Sequence, residues 1–157
     1  MAPHGIEDEE DKPCRACSDF KTWAKKQGKS TPLAPPNKSV RPAKYDCPLD
    51  KEDLGRSTWG FLHTMVAYYP SHPTKMEREQ MSKFFEIFAC FYPCEPCAVD
   101  FMKDIKKHPP ATKNVDELTK WLCERHNTVN RKLGKPEFDC SRAFERWRDG
   151  WKDGSCD

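Results

Sequence analysis

The chain has 157 residues, enough for one ordinary domain with a tail; 36% are apolar and 33% charged. A net charge of +2 is too small to argue for nucleic acid, and no apolar run reaches the roughly eighteen residues that a membrane span needs. The N-terminal MAPHGIEDEEDK is acidic and has no apolar core, so it reads as neither a secretory signal nor an Arg-rich transit peptide. The chain is therefore not expected to be addressed to the endoplasmic reticulum or the outside. Nine cysteines sit oddly with that. In a reducing compartment so many thiols suggest metal binding or catalysis, and an odd number leaves one over if the rest pair. Zinc, redox catalysis, or an oxidising compartment reached without a signal peptide remain.

Seven of the 14 prolines fall in the first 48 residues, and the stretch 28–48 is rich in Pro, Lys and Ser. Residues 1–46 are expected to form a flexible arm, followed by a domain over 47–157. The arm carries one island, PCRACSDFKTW, with Cys14, Cys17, Phe20 and Trp23 at i, i+3, i+6 and i+9. That spacing suits a short amphipathic helix or a docking peptide.

Four helical patterns follow. The first covers about 50–69, with Leu54, Leu62, Met65, Val66 and Tyr69 on one face, and ends at Pro70. The second begins near Pro73, presents Met81, Phe84, Phe85, Phe88 and Phe91, and ends at Pro93. The third opens at the Cys94/Cys97 pair and runs to about Lys107 through Ala98, Phe101 and Ile105. The fourth begins near Asn114, with Glu117 as capping partner, and carries Val115, Leu118, Leu122, Val129 and Leu133. Gly134 and Pro136 end it. A short fifth helix from Ser141 carries Phe144 and Trp147. No alternating strand pattern is evident, so the fold class is all-α: a four-helix bundle plus a short fifth helix.

The pair Cys94/Cys97 sits in FACFYPCEPCAVDF. A zinc site takes four ligands, and Cys14/Cys17 could supply the other two, although some eighty residues separate the pairs. The redox reading has its own physical basis. Pro93 suits the start of a helix, whose unpaired N–H groups and positive dipole end stabilise a thiolate. A thioredoxin-like setting would need a βαβ pattern, and none is present. Such a dithiol needs somewhere to send two electrons. Arg56, Trp59 and His63 form one i, i+3, i+7 stripe beside the apolar face of the first helix; Cys123, His126 and Asn130 repeat it on the fourth. Asn127, Lys132 and Lys135 extend that side. Such walls suit a flat ligand that also carries phosphates, although a lone edge histidine or a Trp at helical spacing is more often packing.

The segments LGRSTWGFLHTMVAYYP, FYPCEPC, WLCERHNTVNRKLGKPEFDC and ERWRDGWKDGSCD, in that order, resemble the Erv/ALR family of FAD-linked sulfhydryl oxidases, closest to its long animal forms. The resemblance covers about 46–157, and the arm island matches as well. It implies a four-helix bundle cradling FAD, in a homodimer. It makes Cys94/Cys97 the active disulfide, with Cys97 next to the flavin and Cys94 attacked by incoming thiolates. It implies a cofactor wall of Arg56, Ser57, Trp59, His63, Phe101, Cys123, His126, Asn127, Val129, Asn130, Lys132, Lys135, Arg146 and Trp147, and no metal. It implies a structural pair Cys123–Cys140 worth about 3 kcal/mol, subunit links through Cys47 and Cys156, and a shuttle pair Cys14/Cys17. Pro96 would stiffen the dithiol. Cys90 has no assigned role and is expected to be a buried or half-buried thiol of the second helix.

By the same resemblance electrons pass from a substrate dithiol through both Cys pairs to FAD, then to oxygen or cytochrome c. The setting is the mitochondrial intermembrane space, with the cytosol as a second location. The substrate is the dithiol import oxidoreductase of that space, and neither nucleic acid nor membrane insertion is implied. Two rivals differ in class. A zinc-held helical adaptor would need no flavin, and an extracellular signalling dimer would need no turnover.

Overall fold

The computed structural model describes residues 48–156. The arm with Cys14 and Cys17 lies outside them, as does Cys47. Four α-helices form the bundle: α1 over Lys51–Ala67, α2 over Lys75–Phe91, α3 over Glu95–Lys107 and α4 over Val115–Lys132. A 3-10 turn, Cys140–Arg142, and a π-type turn, Glu145–Asp149, follow. Among the described residues there is no strand.

Three of the four helices begin where a side chain takes up orphan N–H groups. Asp50 accepts from the Glu52 and Asp53 N–H groups at 3.0 and 2.9 Å. Thr74 and Glu77 form a reciprocal capping box, so α2 starts just past Pro73. Asn114 accepts from the Glu117 N–H at 2.8 Å. Glu117 pairs with Lys113 at 3.0 Å. Cys94 occupies the N-cap of α3 and makes no side-chain cap bond, because its sulfur is engaged in a disulfide.

The core is built from α1 packed on α4 and α2 packed on α3. Leu62 and Val66 of α1, Phe85 and Ala89 of α2, Ile105 of α3, and Leu118, Trp121 and Leu122 of α4 are buried together. Each of the larger ones contributes about 1.5–3 kcal/mol by leaving water. Phe85 meets Trp121 edge-on at 4.8 Å. The Trp121 indole N–H donates to the His108 carbonyl at 2.9 Å, tying α4 to the end of α3.

Three expectations are corrected. Cys90 is exposed, neither buried nor half-buried. It lies five residues beyond Phe85, about 140° around the helix from the core face. Phe91, six residues beyond Phe85 and about 120° around, is 81% exposed. Leu133 is 56% exposed, because at the C-cap of α4 it lines a cavity instead of packing into the core. The chain leaves α4 by a Schellman arrangement. Gly134 takes φ +66°, its N–H donates to the Arg131 carbonyl, and the Lys135 N–H donates to the Asn130 carbonyl. The π-type turn then packs back on α1, which brings Trp147 onto His63.

Candidate active site

The sulfurs of Cys94 and Cys97 are bonded to each other, with Cα atoms 5.3 Å apart. Cys94 caps α3, and Cys97 lies in its first turn, where backbone N–H groups have no helical partner. Both residues are half-buried. Sulfurs bonded to each other are not zinc ligands, and among the described residues no cluster of His, Cys, Asp and Glu could hold a metal ion.

Behind Cys97 lies a cavity of about 330 Å³. Gly55, Thr58, Trp59 and Leu62 of α1 form one wall, Phe88 and Tyr92 another. Pro96, Cys97, Asp100 and Phe101 of α3 face Val129, Lys132 and Leu133 at the end of α4, and Lys51 completes the lining. Cys97 is on this surface and Cys94 is not. The Phe101 ring stands edge-on to Trp59 and to Phe88 at 6.3 and 5.9 Å, so the interior is largely aromatic. At the rim the Lys132 ammonium donates to both carboxylate oxygens of Asp100, at 2.6 and 2.7 Å.

Of the residues expected to form the wall, Trp59, Phe101, Val129 and Lys132 line this cavity. Sequence reasoning missed Gly55, Thr58 and Leu62 as a set. With Trp59 they make an i, i+3, i+4, i+7 stripe, a signal that was available.

A second group adjoins through Trp59. The His126 ring stacks on Trp59 at 4.1 Å, and the His63 ring stacks on Trp147 at 3.7 Å. His63 Nε2 and His126 Nδ1 are 3.0 Å apart. Burial, then His126 and then Arg146, lower the His63 pKa to about 3. Burial, then Arg146 and Lys135, lower that of His126 to about 4. Both imidazoles are therefore neutral at pH 7. His63 Nδ1 is buried without a hydrogen-bond partner among the described residues. Arg146 lies over the rings of Phe138 and Trp147 at 5.3 and 5.2 Å.

Asn127 fixes the connection to this group. Its amide donates to the Phe138 carbonyl at 2.8 Å and accepts from the Phe138 N–H at 2.9 Å, and Asn130 donates to Asn127 Oδ1 at 3.3 Å. Cys123, on the buried side of α4, is bonded to Cys140 with Cα atoms 5.7 Å apart. Arg56, Ser57 and Lys135 are exposed and lie away from the cavity lining, and Arg56 pairs with Asp53 at 3.5 Å. Cys156 is exposed near the C-terminus.

The model of the Erv1/Alr family matches residues 56–148. The chain belongs to that family. It is 40% identical to the mitochondrial FAD-linked sulfhydryl oxidase ERV1 of Saccharomyces cerevisiae, over 93% of this chain and 88% of the yeast protein. The fold is similar to the yeast Erv1 core, with TM-score 0.68 and 45% identity over 73% of this chain and 97% of that one. It is likewise similar to the FAD-binding domain of yeast Erv1, with TM-score 0.64 and 47% identity over 66% and 99%.

The residues present fit a flavin. The cavity has several aromatic walls and the volume of a small-molecule site, and one cysteine of the disulfide lines it. The unpartnered His63 Nδ1 and the Arg146 cation offer polar contacts in the adjoining group, where a nucleotide tail could follow.

Proposed function

We propose that this protein is an FAD-linked sulfhydryl oxidase that converts dithiols into disulfides through Cys94 and Cys97, with the flavin ring in the cavity behind Cys97. The observation that carries the reading is that one cysteine of the disulfide, Cys97, lines an aromatic cavity and the other, Cys94, does not. Bound FAD would supply the two-electron acceptor that such a disulfide needs in order to turn over.

The protein's own part is thiol exchange. A substrate thiolate attacks Cys94 Sγ, an S–S bond forms to the substrate, and the Cys94–Cys97 bond breaks. Cys97 leaves as a thiolate, in the first turn of α3, where the dipole and free N–H groups favour negative charge. The second substrate thiolate then attacks the substrate sulfur of the mixed disulfide. The substrate departs as a disulfide, and Cys94 and Cys97 hold its two electrons. Trp59, Phe101, Val129, Lys132 and Phe88 would hold the ring system. His63, His126, Asn127, Asn130 and Cys123 of the bundle, with Arg56, Ser57, Lys135, Arg146 and Trp147, would hold the remainder.

The finer reading follows from the family and the relatives' names. Cys14 and Cys17 relay electrons from the substrate to Cys94; the match to the yeast enzyme spans 93% of the chain and so reaches into the arm. The working form is a homodimer linked through Cys47 and Cys156. The exposed apolar side chains of Phe61 on α1, Tyr68 at its C-cap, and Met76 and Ile87 on α2 support a covered surface. The setting is mitochondrial, in the intermembrane space, with the import oxidoreductase there as substrate and oxygen or cytochrome c as acceptor. No helix among the described residues is long and apolar enough to cross a membrane.

The test is the visible absorption spectrum of the purified protein, followed by dithiothreitol in air. A flavin band with oxygen consumption supports the oxidase. A colourless protein that takes up no FAD and consumes no oxygen sinks it.

A further inference from the structure

Two ion pairs join α3 to α4 across the bundle. Deeper in, Arg125 meets Asp104 at 3.2 Å, with side chains only 11% and 16% exposed. One turn earlier on α3 and two turns later on α4, Lys132 donates to both oxygens of Asp100. This outer pair differs in one respect: both of its residues line the cavity. Asp100 also stands one turn beyond Cys97, so the pair closes the same end of the site that holds the disulfide.

We propose that Asp100 is a positioning residue of the cofactor site, acting through Lys132 as a strap that holds α3 against α4 over the rim and slows the escape of bound flavin. This rests on the flavin reading above. Near the strap the wall is thin: α4 ends at Lys132, Leu133 is largely exposed, and Gly134 turns the chain away. A flat ligand leaving between α3 and α4 must part the carboxylate from the ammonium. The contact is bidentate and bridges two helices, so it is placed to act on the opening of the site, although a half-exposed pair adds little to folding.

The experiment is flavin release from the full-length, FAD-loaded protein, followed by flavin fluorescence after dilution. Asp100→Asn and Lys132→Met should each speed release roughly two- to fivefold, the scale of one exposed ion pair. The double variant should be no faster than either single one. Asp100→Glu should restore slow release. Added salt should speed release from the parent protein more than from the variants. If Lys132→Met alone speeds release while Asp100→Asn matches the parent or is slower, Lys132 acts on the ligand without Asp100 and the strap is overturned. Additive effects overturn it too. A parent protein that takes up no FAD overturns the flavin reading beneath it, which is a separate result.

Discussion

His63 Nε2 and His126 Nδ1 lie 3.0 Å apart, and each ring is stacked on a tryptophan from a different part of the chain. Only one proton fits between those nitrogens. If His63 donates, its buried Nδ1 is a bare acceptor; if His126 donates, that Nδ1 is a bare N–H. Orphaned buried donors are the rarer and costlier case, so His63 Nε2–H donating to His126 is the better tautomer.

That pair makes stability depend on pH. Both folded pKa values lie below the ordinary 6.5, at about 3 for His63 and about 4 for His126. Well above 6.5 neither state binds a proton here and the pair adds no pH dependence. As pH falls below 6.5 the unfolded chain takes up protons that the folded one refuses. Stability is then lost at up to about 1.4 kcal/mol per pH unit for each imidazole, until the folded group titrates. Urea midpoints at pH 7 and pH 5 should differ clearly, and His63→Gln together with His126→Gln should flatten the difference. An unchanged slope in that double variant would place the acid sensitivity elsewhere.

Cys97→Ser should abolish oxidation of dithiothreitol while leaving the flavin spectrum and the melting temperature near those of the parent. The short loop closed with Cys94, at a sequence separation of 3, restrains the unfolded chain little, and Cys97 only lines the cavity wall. Cys94→Ser should do the same to turnover, because the sulfur open to exchange is gone. Cys90→Ser should leave both turnover and flavin intact, since that thiol is exposed, outside the cavity lining and in no disulfide among the described residues. Oxygen uptake by the three variants separates these outcomes, and residual turnover in Cys97→Ser would mean another cysteine does the work.

The helices were legible because apolar stripes recur at helical spacing and Pro70, Pro93 and Gly134 punctuate them. The same periodicity, read too generously, assigned Phe91 to the core, and Cys90 was expected inside although its angle to Phe85 points it outward. Trp59 and Lys132 stood out on the polar stripes, Val129 lies in a quoted family segment, and Phe101 came with the wall that the resemblance implies; all four line the cavity. Asp100 was not. A lone carboxylate on a charged helix looks like a solvated face until Lys132, far along the chain, is seen to close on it. The His63–His126 bond was hidden likewise: each stripe shows a histidine beside a polar edge, and neither shows that the edges meet.

Asn127 is expected to matter more than its distance from the dithiol suggests. It is 7% exposed and satisfies both the N–H and the carbonyl of Phe138. Phe138 in turn meets Trp147 edge-on at 5.1 Å, and Trp147 covers His63. Asn127→Ala strands two backbone groups, at about 1–3 kcal/mol for each one that stays dry. It should lower the urea midpoint and also weaken FAD binding, because Trp147 loses its backing. Asn127→Asp keeps the acceptor and should fall between. A variant that loses stability and keeps full FAD affinity would show that the Phe138–Trp147 contact does not reach the cofactor.

The two disulfides among the described residues should part company in a reduction experiment. Cys123 is fully buried on α4, and its bond to Cys140 closes a loop of 17 residues, ahead of the turns that carry Trp147. Confining that loop in the unfolded chain stabilises the fold by about 3 kcal/mol. Cys140→Ala should therefore lower the melting temperature by on the order of 10 °C, where Cys97→Ser barely moves it. Its oxidase turnover per bound flavin, measured well below the new melting temperature, should stay close to the parent's. Mild reductant should open Cys94–Cys97 first, because that pair is half-buried at a helix start while Cys123 is sealed in the core. Mass spectrometry of alkylated protein during a dithiothreitol titration checks the order. Labelling of Cys123 and Cys140 before Cys94 and Cys97 would reverse the division of labour between the two bonds.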